Sequence, residues 1–243
     1  MDRFDFFSRL PRSEPGGTTF TSAYLSFVQI QRSDRVLDLR TGAGERAVWI
    51  ARSRGCEVVG VDQDQRFCRL ALTRAAAGGA GDHGSTVCAR YGALPFEDES
   101  FTLVVAEWAP MFLGLNASLK LWRRLVPIGG HIAISHPGIV NKDAPQEVRG
   151  PLELRMAEPM AVLADYQTII RALGYEIIYQ APLAQALWEN FYTDTTRRAW
   201  ALNGQHKAGE SGTLRMILDE AHWYRHVGRG RVFLQSILLR RTR

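Results

Sequence analysis

The stretch RVLDLRTGAGERAVWIA, Arg35 to Ala51, constrains the fold of this chain more than any other. Its opening residues form a short, mostly apolar run suited to a strand buried on both faces. Gly42 and Gly44 follow, and then ERAVWIARSRG sets Ala47, Ile50, Ala51 and Arg54 on one helical face and stops at Gly55, a natural C-cap. The alternation repeats as far as Ser135. CEVVGVD is a second strand closing on Asp62, QDQRFCRLALTRAAAGGAG a helix, STVCAR and FTLVVAE two more strands, NASLKLWRRL a helix and GGHIAIS a fifth strand. Strands separated by helices predict a parallel sheet with right-handed crossovers, an α/β doubly wound fold.

After His136 the pattern changes. HPGIVNKDAPQEVRGPLELRMAEP is rich in proline and charge and reads as a long loop of the kind that carries function or moves. MAVLADYQTIIRALG is then a helix, YEIIYQ a strand, LAQALWENFYTDTTRRAWAL and GTLRMILDEAHWYRHV two helices, and GRVFLQSILLRR a closing strand. The chain of 243 residues, 46% of them hydrophobic, suffices for one such unit. We expect a single domain, with its core at about 30–137, 158–182 and 230–243 and a helical cap at about 183–228 over the mouth of the sheet.

Composition narrows the setting. There is no apolar run of about eighteen residues, and MDRFDFFSRLPRSEPGG lacks the apolar core of a secretory signal, so a soluble, cytoplasmic protein is expected. Cys56, Cys68 and Cys88 show no C-x-x-C spacing and read as packing residues. The formal charge is +5 with a pI near 9.4, but the arginines are scattered, with one short cluster at LLRRTR. A nucleic-acid surface concentrates its charge, so nucleic acid is a disfavoured partner and no membrane is expected.

Gly42, Gly44 and Ala47 match G-x-G-x-x-G/A, and Asp62 follows Gly42 by twenty residues, where a carboxylate can accept bonds from ribose hydroxyls. Taken alone the turn fits either a nicotinamide dinucleotide or another adenosine cofactor. Neighbouring segments separate the two. VLDLRTGAGERA resembles the first motif of class I S-adenosylmethionine-dependent methyltransferases, matched at Asp38, Gly42 and Gly44. VVGVDQD resembles their second motif, ALPFEDESFTLVVAE the lead into their fourth strand, and LWRRLVPIGGHIAIS their helix, turn and fifth strand. The resemblance runs from about Val36 to Ser135, and ALPFEDESF and PIGGHIAIS have no counterpart in nicotinamide enzymes. It implies a mostly parallel seven-stranded sheet whose last strand inserts antiparallel, S-adenosylmethionine as cofactor, and methyl transfer to a small molecule.

The implied cofactor set is Asp38, Arg40, Gly42, Gly44, Asp62, Gln63, Arg90, Tyr91 and Glu107. Three positions depart from the family: Arg40 replaces a glycine, Arg90 stands where an aspartate usually meets the adenine amino group, and Thr102 replaces an acid. Arg40 either clamps the cofactor carboxylate or opposes the sulfonium, and Arg90 either faces solvent or stacks on adenine. The alternative function is a binding module on an altered methyltransferase fold, with a nicotinamide-dependent oxidoreductase behind it. Candidate catalytic groups are Glu107 and His136, at the carboxyl ends of strands four and five. Each is a base or polar contact, or else a structural strand end. The aromatic cap residues Trp188, Phe191, Tyr192, Trp200, Trp223 and Tyr224 are core with a minority facing an apolar or aromatic substrate. His222 and His226 lie one turn apart without a third ligand, so no metal is expected.

Overall fold

A computed structural model describes residues 1–203 and 212–243, apart from the side chains of Asp82 and Asn203. Seven strands form one sheet in the order β3-β2-β1-β4-β5-β7-β6. They are β1 (Arg35–Leu39), β2 (Glu57–Asp62), β3 (Gly84–Cys88), β4 (Leu103–Glu107), β5 (His131–Ile139), β6 (Tyr175–Pro182) and β7 (Val232–Arg241). The first five are mutually parallel, and β7 runs antiparallel to both β5 and β6. This is the doubly wound sheet with an antiparallel last strand that the sequence implied.

Helices cover both faces. On one face α5 (Leu115–Trp122) and α7 (Leu163–Ala172) bury Leu119, Trp122, Tyr166 and Ile170 against Val104, Ile132 and Ile237. On the other, α2 (Thr18–Leu25) and α3 (Glu45–Arg54) bury Tyr24, Leu25 and Ile50 against Val36, Val105 and Leu238. A third cluster sits over the carboxyl ends of the strands. It joins Phe6 and Phe7 of α1 (Arg3–Phe7), Val148 and Leu152 of α6 (Gln146–Glu153), and the cap helices α8 (Gln185–Asn203) and α9 (Gly212–Trp223).

Two segments differ from the sequence reading. The stretch after His136 is not a continuous loop, because β5 runs on to Ile139 and α6 follows, kinked at Gly150. Pro137 hides this continuation. It is tolerated in a strand because β4 pairs with β5 only as far as Ser135, leaving a single neighbour, β7, beyond that point. The N-terminal segment, to which the sequence assigned no element, forms α1 and α2 and packs into two of the three clusters. Of the cysteines, Cys56 and Cys68 are buried but Cys88 is exposed, so only two serve packing.

The turn at Gly44 also fixes the fold. Its φ is 85°, and a Cβ there would lie 2.8 Å from the Ala71 Cβ and 2.9 Å from the Ala71 Cα, on α4 (Gln65–Ala77). Close approach of α3 and α4, not contact with a ligand, is what demands glycine at this position. Gly44→Ala should therefore lower unfolding free energy by about 2–4 kcal/mol, combining left-handed strain with overpacking against backbone. Urea denaturation monitored by circular dichroism checks this.

Candidate functional site

Strands β1 and β4 are parallel neighbours, and a non-glycine residue with positive φ follows each at its carboxyl end: Arg40 at 62° and Trp108 at 61°. An L-residue in that region costs about 1–2 kcal/mol, so its surroundings must hold it there. One piece of N-terminal chain holds both. The Arg40 guanidinium is ion-paired with the Glu14 carboxylate and lies over the Phe112 ring at 5.4 Å. Trp108 Nε1 donates to the Pro15 carbonyl oxygen at 2.9 Å, while the Trp108 backbone N–H donates to Ser135 Oγ at 2.9 Å. Residues 11 to 17 thus form a strap across the strand ends. Arg12 donates to the Gly16 carbonyl oxygen at 2.5 Å, Arg3 donates to Ser13 Oγ at 3.0 Å, and Gly16 and Gly17 turn the chain into α2.

Beneath the strap lies a buried charge network. Arg46, in the first turn of α3, donates from Nε to Asp38 Oδ1 at 2.6 Å, from Nη1 to Glu107 Oε2 at 3.0 Å and from Nη2 to the Leu39 carbonyl oxygen at 3.2 Å. The other Glu107 oxygen accepts from the hydroxyls of Thr21 and Tyr24, each at 2.7 Å. Burial works against the Arg46 charge, but Asp38 and Glu107 outweigh it and hold the guanidinium well above its ordinary range. Burial raises Asp38 despite Arg46, and burial followed by the Glu107 charge pushes the Tyr24 phenol far up. Arg46 was not a sequence candidate. Its signal was present all the same: an acid in a strand buried on both faces needs a cation, and an arginine opens the next helix.

Two cavities meet at the strap. The smaller, about 40 Å³, is bounded by Arg40, Gly42, Arg46 and Glu107 below and by strap residues above. The larger, about 240 Å³, has Trp108, Met111, Phe112, Phe191, Tyr192 and Ile217 in its walls, together with Arg3, Arg155 and Glu220. Ser13, Glu14, Pro15 and Arg40 line both, so the strap and its ion pair are the partition. Glu14 would be raised by burial, yet Arg40, Arg46 and Arg3 hold it below the usual carboxylate range.

The remaining sequence candidates fall as follows. Asp62 is buried at the end of β2, where Oδ2 accepts the Gly42 N–H at 3.1 Å and Oδ1 the Asp64 N–H at 3.0 Å. Gly42 faces open space, since a Cβ there would meet only Ser13 Oγ at 3.8 Å. Gln63 and Arg90 are exposed, which places Arg90 at a solvent-facing strand end. Tyr91 is buried, its phenol raised by burial and then by the Asp62 charge. His136 does not reach either cavity. It is fully buried in the middle of β5, its ring 4.9 Å from Tyr166 and its Nε2 3.5 Å from Glu158 Oε1, because the strand continues past it. Glu107 borders the smaller cavity, but three donors already engage its two oxygens. His226 Nδ1 lies 2.8 Å from the His222 carbonyl oxygen, and among the described residues no three His, Cys, Asp or Glu side chains are grouped to hold a metal. Of the cap aromatics, Phe191 and Tyr192 face the larger cavity, Trp188 stacks on Tyr224 with ring centroids 5.0 Å apart, and Trp200 points outward.

Comparison with known proteins places this geometry. The family model described as "Methyltransferase domain" matches residues 36–130. The match runs from β1 to the turn before β5. An uncharacterized protein of Haemophilus influenzae is 26% identical over 79% of this chain and 70% of its own length. Methyltransferase GfsG of Streptomyces halstedii is 24% identical over 67% of this chain and 60% of its own. A methyltransferase of Thiobacillus denitrificans, solved with S-adenosyl-L-homocysteine, superposes with a TM-score of 0.81 over 98% of both chains at 19% identity, a likeness of fold. The ligand bound in that structure is the demethylated form of the cofactor that the sequence motifs of this chain implied. These likenesses lend no support to a nicotinamide enzyme or an inactive module. The strap, α1 and α2 lie outside the matched residues. Among the described residues no helix is long and apolar enough to cross a membrane.

Removing the Arg46 charge leaves two buried carboxylates unmatched. Arg46→Met should destabilise the protein by about 3–5 kcal/mol near neutral pH. The loss should depend on pH in a defined direction. The folded-state pKa of Asp38 is already raised, and without Arg46 it rises further, so the native state holds a proton that the unfolded chain releases. Stability then falls as pH climbs above the ordinary carboxylate range. The variant's deficit should be smaller at about pH 4.5 than at about pH 8 by urea titration at both values.

Proposed function

We propose that this protein transfers a methyl group from S-adenosylmethionine to a small-molecule acceptor seated in the larger cavity. The observation that carries the reading is the shared wall, since Glu14, Pro15 and Arg40 border both the strand-end cleft and an aromatic cavity. In-line displacement needs acceptor and donor in contact, which adjoining cavities divided by a displaceable strap can provide.

The residues fit the cofactor. Asp62 keeps lone pairs beyond its two backbone bonds for the ribose hydroxyls, and Gly42 has room for close approach. Asp38 Oδ2 is buried without a hydrogen-bond partner, an acceptor suited to an ammonium group. Gln63, Arg90 and Tyr91 would flank the adenine. When bound, the cofactor supplies an electrophilic methyl group on a sulfonium. Glu107 holds Arg46, Thr21 and Tyr24 in place and keeps negative charge beneath the cleft, a positioning role and not that of a free base. The smaller cavity has space for only a few water molecules, so the strap must lift to admit the cofactor.

Calorimetric titration with S-adenosylhomocysteine tests the reading. Asp62→Ala should weaken binding by about 1.5–3 kcal/mol, the worth of bonds to a charged acceptor. Absence of any heat for the unaltered protein at millimolar ligand would sink it. Arg40→Gly relieves the left-handed backbone but strands the Glu14 carboxylate, so the strap should loosen. Amide hydrogen exchange across residues 11 to 17 should then accelerate at least tenfold, while exchange in β5 and β7 stays within twofold; this range corresponds to about 1.4 kcal/mol of local opening.

A further inference from the structure

We propose that the acceptor is an apolar molecule carrying a single carboxylate, and that Arg3 receives that carboxylate. The inference rests on the reading of the larger cavity as the acceptor site. Three arginines line this cavity, Arg3, Arg40 and Arg155, against two acids, Glu14 and Glu220. The pairs are assigned. Arg40 meets Glu14, and Arg155 meets Glu220, whose other oxygen accepts from the Tyr192 hydroxyl at 2.9 Å. One positive charge is left over, on Arg3.

The Arg3 guanidinium is poised for a ligand in its plane. Its carbon lies 5.6 Å from the ring centres of both Phe7 and Phe67, in contact with their faces. Of its five N–H donors, one bonds to Ser13 Oγ at 3.0 Å, and among the described residues no carboxylate lies within ion-pair distance. Burial, followed by the repulsion of Arg40, lowers its pKa, so the cation is held in surroundings that disfavour it until an anion arrives. A planar fork with free donors matches a carboxylate in two-point contact.

The rest of the wall dictates the body of the ligand. Trp108, Met111, Phe191, Tyr192 and Ile217 offer apolar and aromatic surface around about 240 Å³, room for a ring and a short chain. A diphosphate or dicarboxylate would bring more negative charge than the single unmatched cation balances. A neutral molecule would leave Arg3 desolvated and unmatched, and a cationic one would add repulsion.

The test uses 4-phenylbutyrate and its neutral match 4-phenylbutanamide, titrated calorimetrically into the full chain with and without S-adenosylhomocysteine. The acid should bind at least tenfold tighter than the amide. Arg3→Gln should erase the preference, bringing the acid to the level of the amide, while S-adenosylhomocysteine still binds and the variant still unfolds cooperatively. Arg3→Lys should keep part of the preference. Equal binding of acid and amide, failure of the acid to bind at millimolar concentration, or an acid preference that survives Arg3→Gln would each overturn the proposal. Loss of S-adenosylhomocysteine binding with the acid preference intact would instead strike the methyl-transfer reading, so the two fail separately.

Discussion

The site depends on one buried cation. Arg46 joins β1 through Asp38, β4 through Glu107 and its own helix α3 through its backbone, and Glu107 brings in α2 through Thr21 and Tyr24. Four elements from distant parts of the chain therefore share one charge balance. None of the members could be removed singly without leaving a desolvated charge or donor behind, and in a low-dielectric interior that cost exceeds the worth of an ordinary hydrogen bond. The floor of the cleft is correspondingly stiff. Stiffness there matters, because the carboxyl ends of β1 and β4 are where a ligand of this fold must be held in fixed geometry.

The roof is built differently. The strap carries few apolar side chains and is fastened by side-chain contacts at its middle: Glu14 to Arg40, Pro15 to Trp108, Ser13 to Arg3. Two of its anchors, Arg40 and Trp108, sit in strained backbone. A rigid floor under a roof held by a few polar contacts is an arrangement in which local opening costs far less than unfolding. The glycines at 16 and 17, both with positive φ, supply the turn at the end nearer α2.

Much of this was readable in the sequence, and the parts that were not share a cause. The glycine turn, Asp62 and the order of strands leave marks in residue type because the backbone demands them locally: positive φ at Gly42 and Gly44, an acid closing β2. The reading of Gly44 as a ligand contact missed the neighbour that excludes a side chain, Ala71, which is remote in sequence. The strap was invisible for the same reason. Glu14 has no periodic pattern around it, and its meaning comes from Arg40; Thr21 and Tyr24 gain theirs from Glu107, over eighty residues away. His136 was misplaced because Pro137 and Gly138 look like the end of a strand, whereas the missing partner beyond Ser135 makes proline harmless there.

Arginine at position 40, where the methyltransferase motif that the sequence resembles carries glycine, is explained by this division between floor and roof. Its left-handed backbone costs about 1–2 kcal/mol relative to glycine. A charge-assisted bond to Glu14 returns about 1.5–3 kcal/mol, and the Phe112 ring adds roughly 0.5–2 kcal/mol. With the strap closed the balance favours arginine. With the strap lifted the strain remains while the Glu14 contact is gone, so the closed state is favoured in proportion to that contact. A ligand whose carboxylate reached Arg40 would restore the lost interaction and remove the penalty of opening. On the methyl-transfer reading, the same side chain that latches the empty cleft is thereby the one that an incoming amino-acid moiety would satisfy, and the departure from the family motif and the presence of the strap become one adaptation.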